Sequence, residues 1–152
     1  MLEEKNKKEI EKIAKDFFSK ISKNEKPDLI KIEDNLVSIE FNTESPELFI
    51  GKHGSILSDI QYLLAKILRK KVDIDIFVDL DINEYKKNKL SYLKDLAKDL
   101  ADEVSLNKKE KILPPMSSYE RRAIHLALSE RKDIKTESIG EEPERRMIIK
   151  PV

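Results

Sequence analysis

Two groups of residues in this chain have the types and spacing to hold a phosphate-bearing ligand. The first is Gly51-Lys52-His53-Gly54. The chain has only three glycines, and so sparing a sequence places them where the backbone needs φ > 0 or must approach another group closely. Upstream, Ser45-Pro46 reads as an N-cap followed by the first helical residue. Downstream, Ser55-Ile56-Leu57 opens another helix. A basic turn between two helices leaves backbone N–H groups directed outward, a receptor of phosphate size. The second group is Arg121 and His125, four residues apart and therefore stacked on one helix face. A guanidinium beside an imidazole offers a fork for phosphate and a flat ring for stacking or hydrogen bonding.

The elements that must position these groups follow from periodicity. Ile10, Ile13, Ala14, Phe17, Phe18 and Ile21 predict a helix over Asn6–Lys23, with Pro27 beyond its end. Strands are expected at residues 29–32 and 36–41 around the turn Glu33-Asp34-Asn35. After the glycine turn, Ile56, Ile60, Leu63, Leu64, Ile67 and Leu68 form a broad apolar stripe on a helix from Ser55 to about Lys70, with Lys66, Arg69 and Lys70 turned away from it. Val72, Ile74, Ile76 and Val78 alternate with Asp73, Asp75 and Phe77 as a half-buried strand, those two acids on its outer face.

A long helix is expected from Asn83 to Val104, its seam of Leu90, Leu93, Ala97, Leu100 and Val104 needing a partner surface. It is read as a strut joining two small bodies, with a coiled-coil dimer as the alternative. Ser117-Ser118-Tyr119-Glu120 is a capping box opening a helix to about Arg131. On that helix Ala123, Ile124, Ala127 and Leu128 are expected to face the core. Arg121, Arg122, His125, Ser129 and Lys132 gather on the opposite side. Strands at residues 136–139 and 145–150 flank a turn at Gly140-Glu141-Glu142-Pro143.

Composition limits the function classes. Lysines and arginines balance aspartates and glutamates, 30 against 30. There is no cysteine and there are only two histidines, so a zinc ligand set is not expected. No apolar run approaches a membrane span, and the charged start has no signal-peptide core, which together predict a cytoplasmic protein without membrane contact. Charge is segregated: residues 27–44 and 72–84 are acidic (net −4 and −5), whereas 45–71, 85–111 and 112–135 are basic (+3, +3 and +2). The basic excess thus falls on the motif-bearing segments, and segregation of this kind builds a positive face on a neutral chain.

The glycine-bracketed turn between helices resembles the GXXG loop of a KH domain, which clamps about four nucleotides of single-stranded nucleic acid. The order helix, strand, strand, helix, loop, helix, strand resembles the type II KH arrangement. Pro115-Met116, Glu120-Arg121-Arg122, His125, Ser138-x-Gly140-Glu141-Glu142-Pro143-x-Arg145-Arg146 and Ile148-Ile149-Lys150-Pro151 resemble the R-3-H domain, named for its Arg-x-x-x-His motif. With Gln61-Tyr62-Leu63 and Tyr85 in addition, the chain is similar to the bacterial Jag family, also called KhpB or EloR, without its N-terminal Jag-N domain. Lys86-Lys87-Asn88-Lys89 stands where that family carries arginines.

The resemblance implies an α+β chain of two small domains: a type II KH-like α/β sandwich at residues 6–82, a linking helix at 83–106, and an R-3-H domain at 107–152. It implies a regulator acting after transcription, tied to cell elongation and division. The partners would be single-stranded RNA or DNA, with a small single-KH protein (KhpA-like) or a second copy of the chain in addition. The expected RNA-binding residues are Gly51, Lys52, His53, Gly54, Ser55, Lys66 and Lys70 in the first domain. In the second they are Arg121, Arg122, His125 and Lys132. No cofactor and no enzymatic activity are expected. A P-loop is excluded, because GxxxxGK[ST] would need glycine at Pro46 and Ser or Thr at His53. The competing readings are a protein-interaction scaffold built on KH surfaces and a metal-independent ribonuclease using the Arg–His pair as general acid and base.

Overall fold

The computed structural model describes residues 3–22 and 26–152. It is a mixed α+β chain in two compact units, Met1–Lys86 and Lys87–Val152.

In the first unit, helix α1 (Glu4–Ile21) buries Ile10, Ala14 and Phe18, one residue per turn on a single stripe. Strands β1 (Leu29–Glu33) and β2 (Leu36–Phe41) form an antiparallel hairpin, and β3 (Phe77–Ile82) adds to β2 in parallel, giving the order β1-β2-β3. Parallel pairing needs a crossover. Here the crossover is α2 (Glu47–Ile50), a 3-10 turn (Lys52–Gly54) and α3 (Ser55–Val72). The core unites Phe18, Val37, Ile39, Phe41, Leu64, Leu68, Leu80 and Ile82, with the Phe18 and Phe41 rings stacked at 5.2 Å. The C-terminal end of the helix expected at Asn6–Lys23 reaches Lys23, which lies outside the described residues.

The third strand starts later than the alternation implied. Asp73 adopts a left-handed conformation (φ 53) and ends α3 directly after Val72, and the strand begins only at Phe77, opposite Leu36, the first residue of β2. Asp73 and Asp75 are therefore not the outer face of a strand. Asp75 instead pairs with Arg69 at 3.3 Å. Arg69 also donates to the Ile76 carbonyl at 2.7 Å and lies over the Phe77 ring, fastening the end of α3 to the start of β3.

In the second unit, α4 (Tyr85–Asn107) contributes all but its first two residues. Its seam is buried: Leu93, Ala97, Ala101 and Val104 pack with Leu113, Met116, Ile124, Leu128, Ile134, Met147 and Ile149. The helix set apart in sequence as a linker thus supplies part of this core. Strands β4 (Lys111–Pro115), β5 (Ile134–Ile139) and β6 (Arg146–Pro151) form an antiparallel sheet in the order β4-β6-β5. Pro114 and Pro115 argue against a strand in sequence, yet β4 is an edge strand, where a missing N–H costs no ladder bond. Helix α5 (Ser118–Leu128) stops three residues short of its expected end.

Arg131 ties α4 to the start of β5 by pairing with Asp102 and Asp133. The guanidinium holds the Asp133 carboxyl well below the usual carboxylate range. A depressed carboxyl stabilises the fold above its unfolded pKa of about 4, and that stabilisation fades as pH falls below it. Arg131→Ala should therefore lower the thermal midpoint of the second unit most at neutral pH, and the gap from wild type should narrow on acidification below about pH 4. A gap independent of pH would show that the loss arises from something other than the ion pair with Asp133.

Candidate nucleic-acid interface

The glycine turn is built from backbone conformations that side chains oppose. Gly51 has φ 69 and ψ −174, a region that is essentially glycine-only. His53 (φ 57) and Gly54 (φ 83) continue in left-handed conformations. Gly51 N–H closes α2 on the Glu47 carbonyl at 3.1 Å, and Gly54 N–H returns to the Gly51 carbonyl at 3.3 Å. A Cβ on Gly54 would stand 3.0 Å from the Tyr85 ring, so the aromatic residue at the start of α4 backs the turn. Lys52, His53 and Ser55 are exposed, and the N-cap residue of α3 is Gly54, which has no side chain.

Along α3, Ser55, Asp59, Tyr62, Lys66 and Lys70 share one exposed stripe. Lys66 Nζ lies 5.3 Å from the centre of the Tyr62 ring, which is 64% exposed. Lys70 shares the stripe but lies about 22 Å along the helix from Ser55, so it extends the surface rather than joining the turn. Tyr62 was not among the expected binding residues, although its position one turn before Lys66 was readable in the sequence. The outward row of the sheet has the opposite charge. Glu33, Glu40, Asp79 and Asp81 lie there against Lys31, which pairs with Glu33 at 2.8 Å. Lys86 reaches Asp79 and the Gln61 side chain.

In the second unit the capping box of α5 is complete. Ser117 Oγ accepts from Glu120 N–H at 3.3 Å, and the Glu120 carboxylate accepts from Ser117 N–H at 2.7 Å. Glu120 also pairs with Lys89 of α4 at 3.0 Å. Arg121 requires a correction. It was expected on the exposed side beside His125, but it is 7% exposed. Its Nη1 donates to the Met116 carbonyl at 2.8 Å and to Glu142 Oε1 at 3.0 Å. The carboxylate from the following turn offsets the cost of burying the charge. Ala127 is exposed rather than in the core, and Ser129 and Lys132 lie past the end of the helix.

His125 is exposed, with Nδ1 2.7 Å from Thr136 Oγ1 of β5. Whichever of the two donates, the bond fixes the ring and leaves Nε2 facing solvent. Thr136 has no motif of its own, but it follows Ile134 on the α5-facing side of β5. Arg122 and Lys132 are exposed, as is Arg145, which sequence reasoning did not single out as a ligand. Among the described residues no cluster of three or more His, Cys, Asp or Glu could hold a metal ion. No described helix is long and apolar enough to cross a membrane.

Comparison with known proteins supports the second unit directly. Residues 91–151 match the R-3-H domain. The chain is 37% identical to RNA-binding protein KhpB of Clostridium symbiosum, across 74% of this chain and 56% of that protein. It is 36% identical to the protein of the same name from Bacillus subtilis, across 70% of this chain and 52% of that one. For the Lactiplantibacillus plantarum protein the identity is 32%, across 74% of this chain and 35% of that one. The chain thus spans about half the length, or less, of the curated relatives it matches. With an R-3-H domain in the second unit and relatives that all carry one name, the chain belongs to the KhpB (Jag) family.

Proposed function

We propose that this chain is a non-enzymatic binder of single-stranded RNA with two contact surfaces. One is the glycine turn and α3 stripe of the first unit, read as a type II KH module. The other is the exposed side of α5 with the 140–145 turn. The observation that carries the reading is the turn itself: a lysine and a histidine exposed between two glycines at positive φ, leading into a helix whose N-cap residue, Gly54, has no side chain. Such an end offers N–H groups and a partial positive charge to phosphate. Tyr62 beside Lys66 adds a ring on which a base can stack.

The acidic sheet row of the first unit rejects phosphate, which directs a strand to the helical side. Binding to both surfaces by one strand would raise affinity through effective concentration without new contacts. The family name of the relatives favours RNA over DNA. A regulatory role after transcription, linked to elongation and division, rests on the family resemblance alone. Exposed Leu48, Tyr62 and Leu63 favour a second, compatible reading in which this face receives a KhpA-like protein or a second copy of the chain.

The test is salt dependence. If Lys52, Lys66, Lys70 and Arg122 each neutralise one phosphate, log Kd against log salt should have a slope of magnitude about 3, at about 0.7 per contact on a single strand. Fluorescence anisotropy with a labelled 20-nucleotide RNA would measure it. A flat response would leave only the protein-scaffold reading.

A further inference from the structure

We infer that Arg121, the arginine of the Arg-x-x-x-His motif, is a positioning residue that fastens the 140–145 turn and so presents Arg145 to RNA, instead of meeting phosphate itself. The inference rests on the RNA-binding reading above. Arg121 is 7% exposed, and two acceptors already share its Nη1: the Met116 carbonyl and the Glu142 carboxylate. Met116 in turn donates its N–H to the Arg145 carbonyl at 3.1 Å. The turn is therefore held at two points, through the Glu142 side chain and through the Arg145 backbone, and both lead back to Arg121 through one hydrogen bond or two.

Gly140 holds φ 81, a conformation that side chains rarely adopt, and so lets the chain reverse into the turn. The two adjacent arginines that emerge have different fates. Arg146 folds onto Glu144, donating to its carbonyl and its carboxylate at 2.9 Å each. Arg145 is exposed and makes no ion pair among the described residues. Of the arginines at this end, Arg121 and Arg146 have carboxylates on them, while Arg145 and Arg122 offer their guanidiniums to solvent.

The alternative is that Glu142, 60% exposed at its side chain, stands in for phosphate on Arg121 and is displaced by RNA. The two arrangements predict opposite signs for loss of Glu142. The measurement is the affinity of the full chain for the labelled 20-nucleotide RNA at several salt concentrations, below the thermal midpoint of each variant. For a positioning role, Glu142→Ala should weaken binding about fivefold, the loss of one well-placed charged contact. Glu142→Gln, whose amide oxygen still accepts from Arg121, should restore most of it. Arg145→Ala should weaken binding to a similar degree and reduce the salt slope by about 0.7. Glu142→Ala combined with Arg145→Ala should lose little more than either alone. Tighter binding by Glu142→Ala, or an unchanged affinity, would overturn the inference while leaving an RNA surface in place. If Arg145→Ala, Arg122→Ala and His125→Ala all bind as wild type does, the second unit has no RNA surface and both readings fall.

Discussion

Replacing Lys52 and His53 together by Asp is expected to weaken single-stranded RNA binding at least tenfold while leaving the fold intact. A unit charge about 4 Å from a phosphate interacts by about 1 kcal/mol even in water. Reversing Lys52 therefore changes its contribution by about 2 kcal/mol, and placing a carboxylate at His53 adds about 1 more. Screening at physiological salt, with a Debye length of about 8 Å, reduces this sum but does not cancel it at contact distance. The backbone should accept both changes. Lys52 is exposed, and Asp tolerates the left-handed conformation that His53 occupies at φ 57. Circular dichroism should overlay on wild type while anisotropy titrations shift. Unchanged affinity would remove the glycine turn from the binding surface.

The second large effect is on stability. Gly51→Ala should destabilise the first unit by about 1–3 kcal/mol through backbone strain alone, since φ 69 with ψ −174 is a glycine conformation. Sterics add to this. A Cβ there would meet Ile56 Cγ1 at 2.5 Å, Cδ1 at 2.8 Å and Cβ at 3.0 Å. Ile56→Ala removes the first two of these atoms but cannot alter the dihedrals. The double variant should consequently be more stable than the sum of the single losses predicts, yet still less stable than Ile56→Ala. Denaturant unfolding followed through the first unit would measure the cycle. Strict additivity would mean that the turn shifts away from α3 when it gains a methyl group.

The parts of the fold written in local pattern were legible. Periodic stripes located α1, α3, α4 and α5, and the glycines, prolines and capping box located the turns between them. What was missed depends on partners distant in sequence. Asp73 adopts a left-handed conformation and keeps Val72 in the helix, and β3 begins only where Phe77 meets Leu36 of β2, neither of which alternation through Val72 and Ile74 reveals. β4 was hidden because two prolines suit a strand only at an edge, and edge position is a property of the finished sheet. Arg121 is the most informative case. On a helical wheel it lies about 40° from His125 but only about 20° from Leu128, at the border of the buried stripe, and Glu142, 21 residues later, neutralises it there. His125 was placed correctly on the exposed side, yet nothing local announced that Thr136 would hold its ring.

The acidic row on the first sheet has a kinetic consequence. The whole chain carries no formal net charge, so a polyanion exerts almost no net pull on it at long range. The same field still exerts a torque on a body with carboxylates on one side and lysines on the other. Glu40, Asp79 and Asp81 would turn away from an approaching strand, and Lys52 and Lys66 would turn toward it. If the proposed RNA surface is correct, the acids would govern which way round the first unit is when a strand arrives, and would raise the fraction of productive collisions without any of these carboxylates having to touch it.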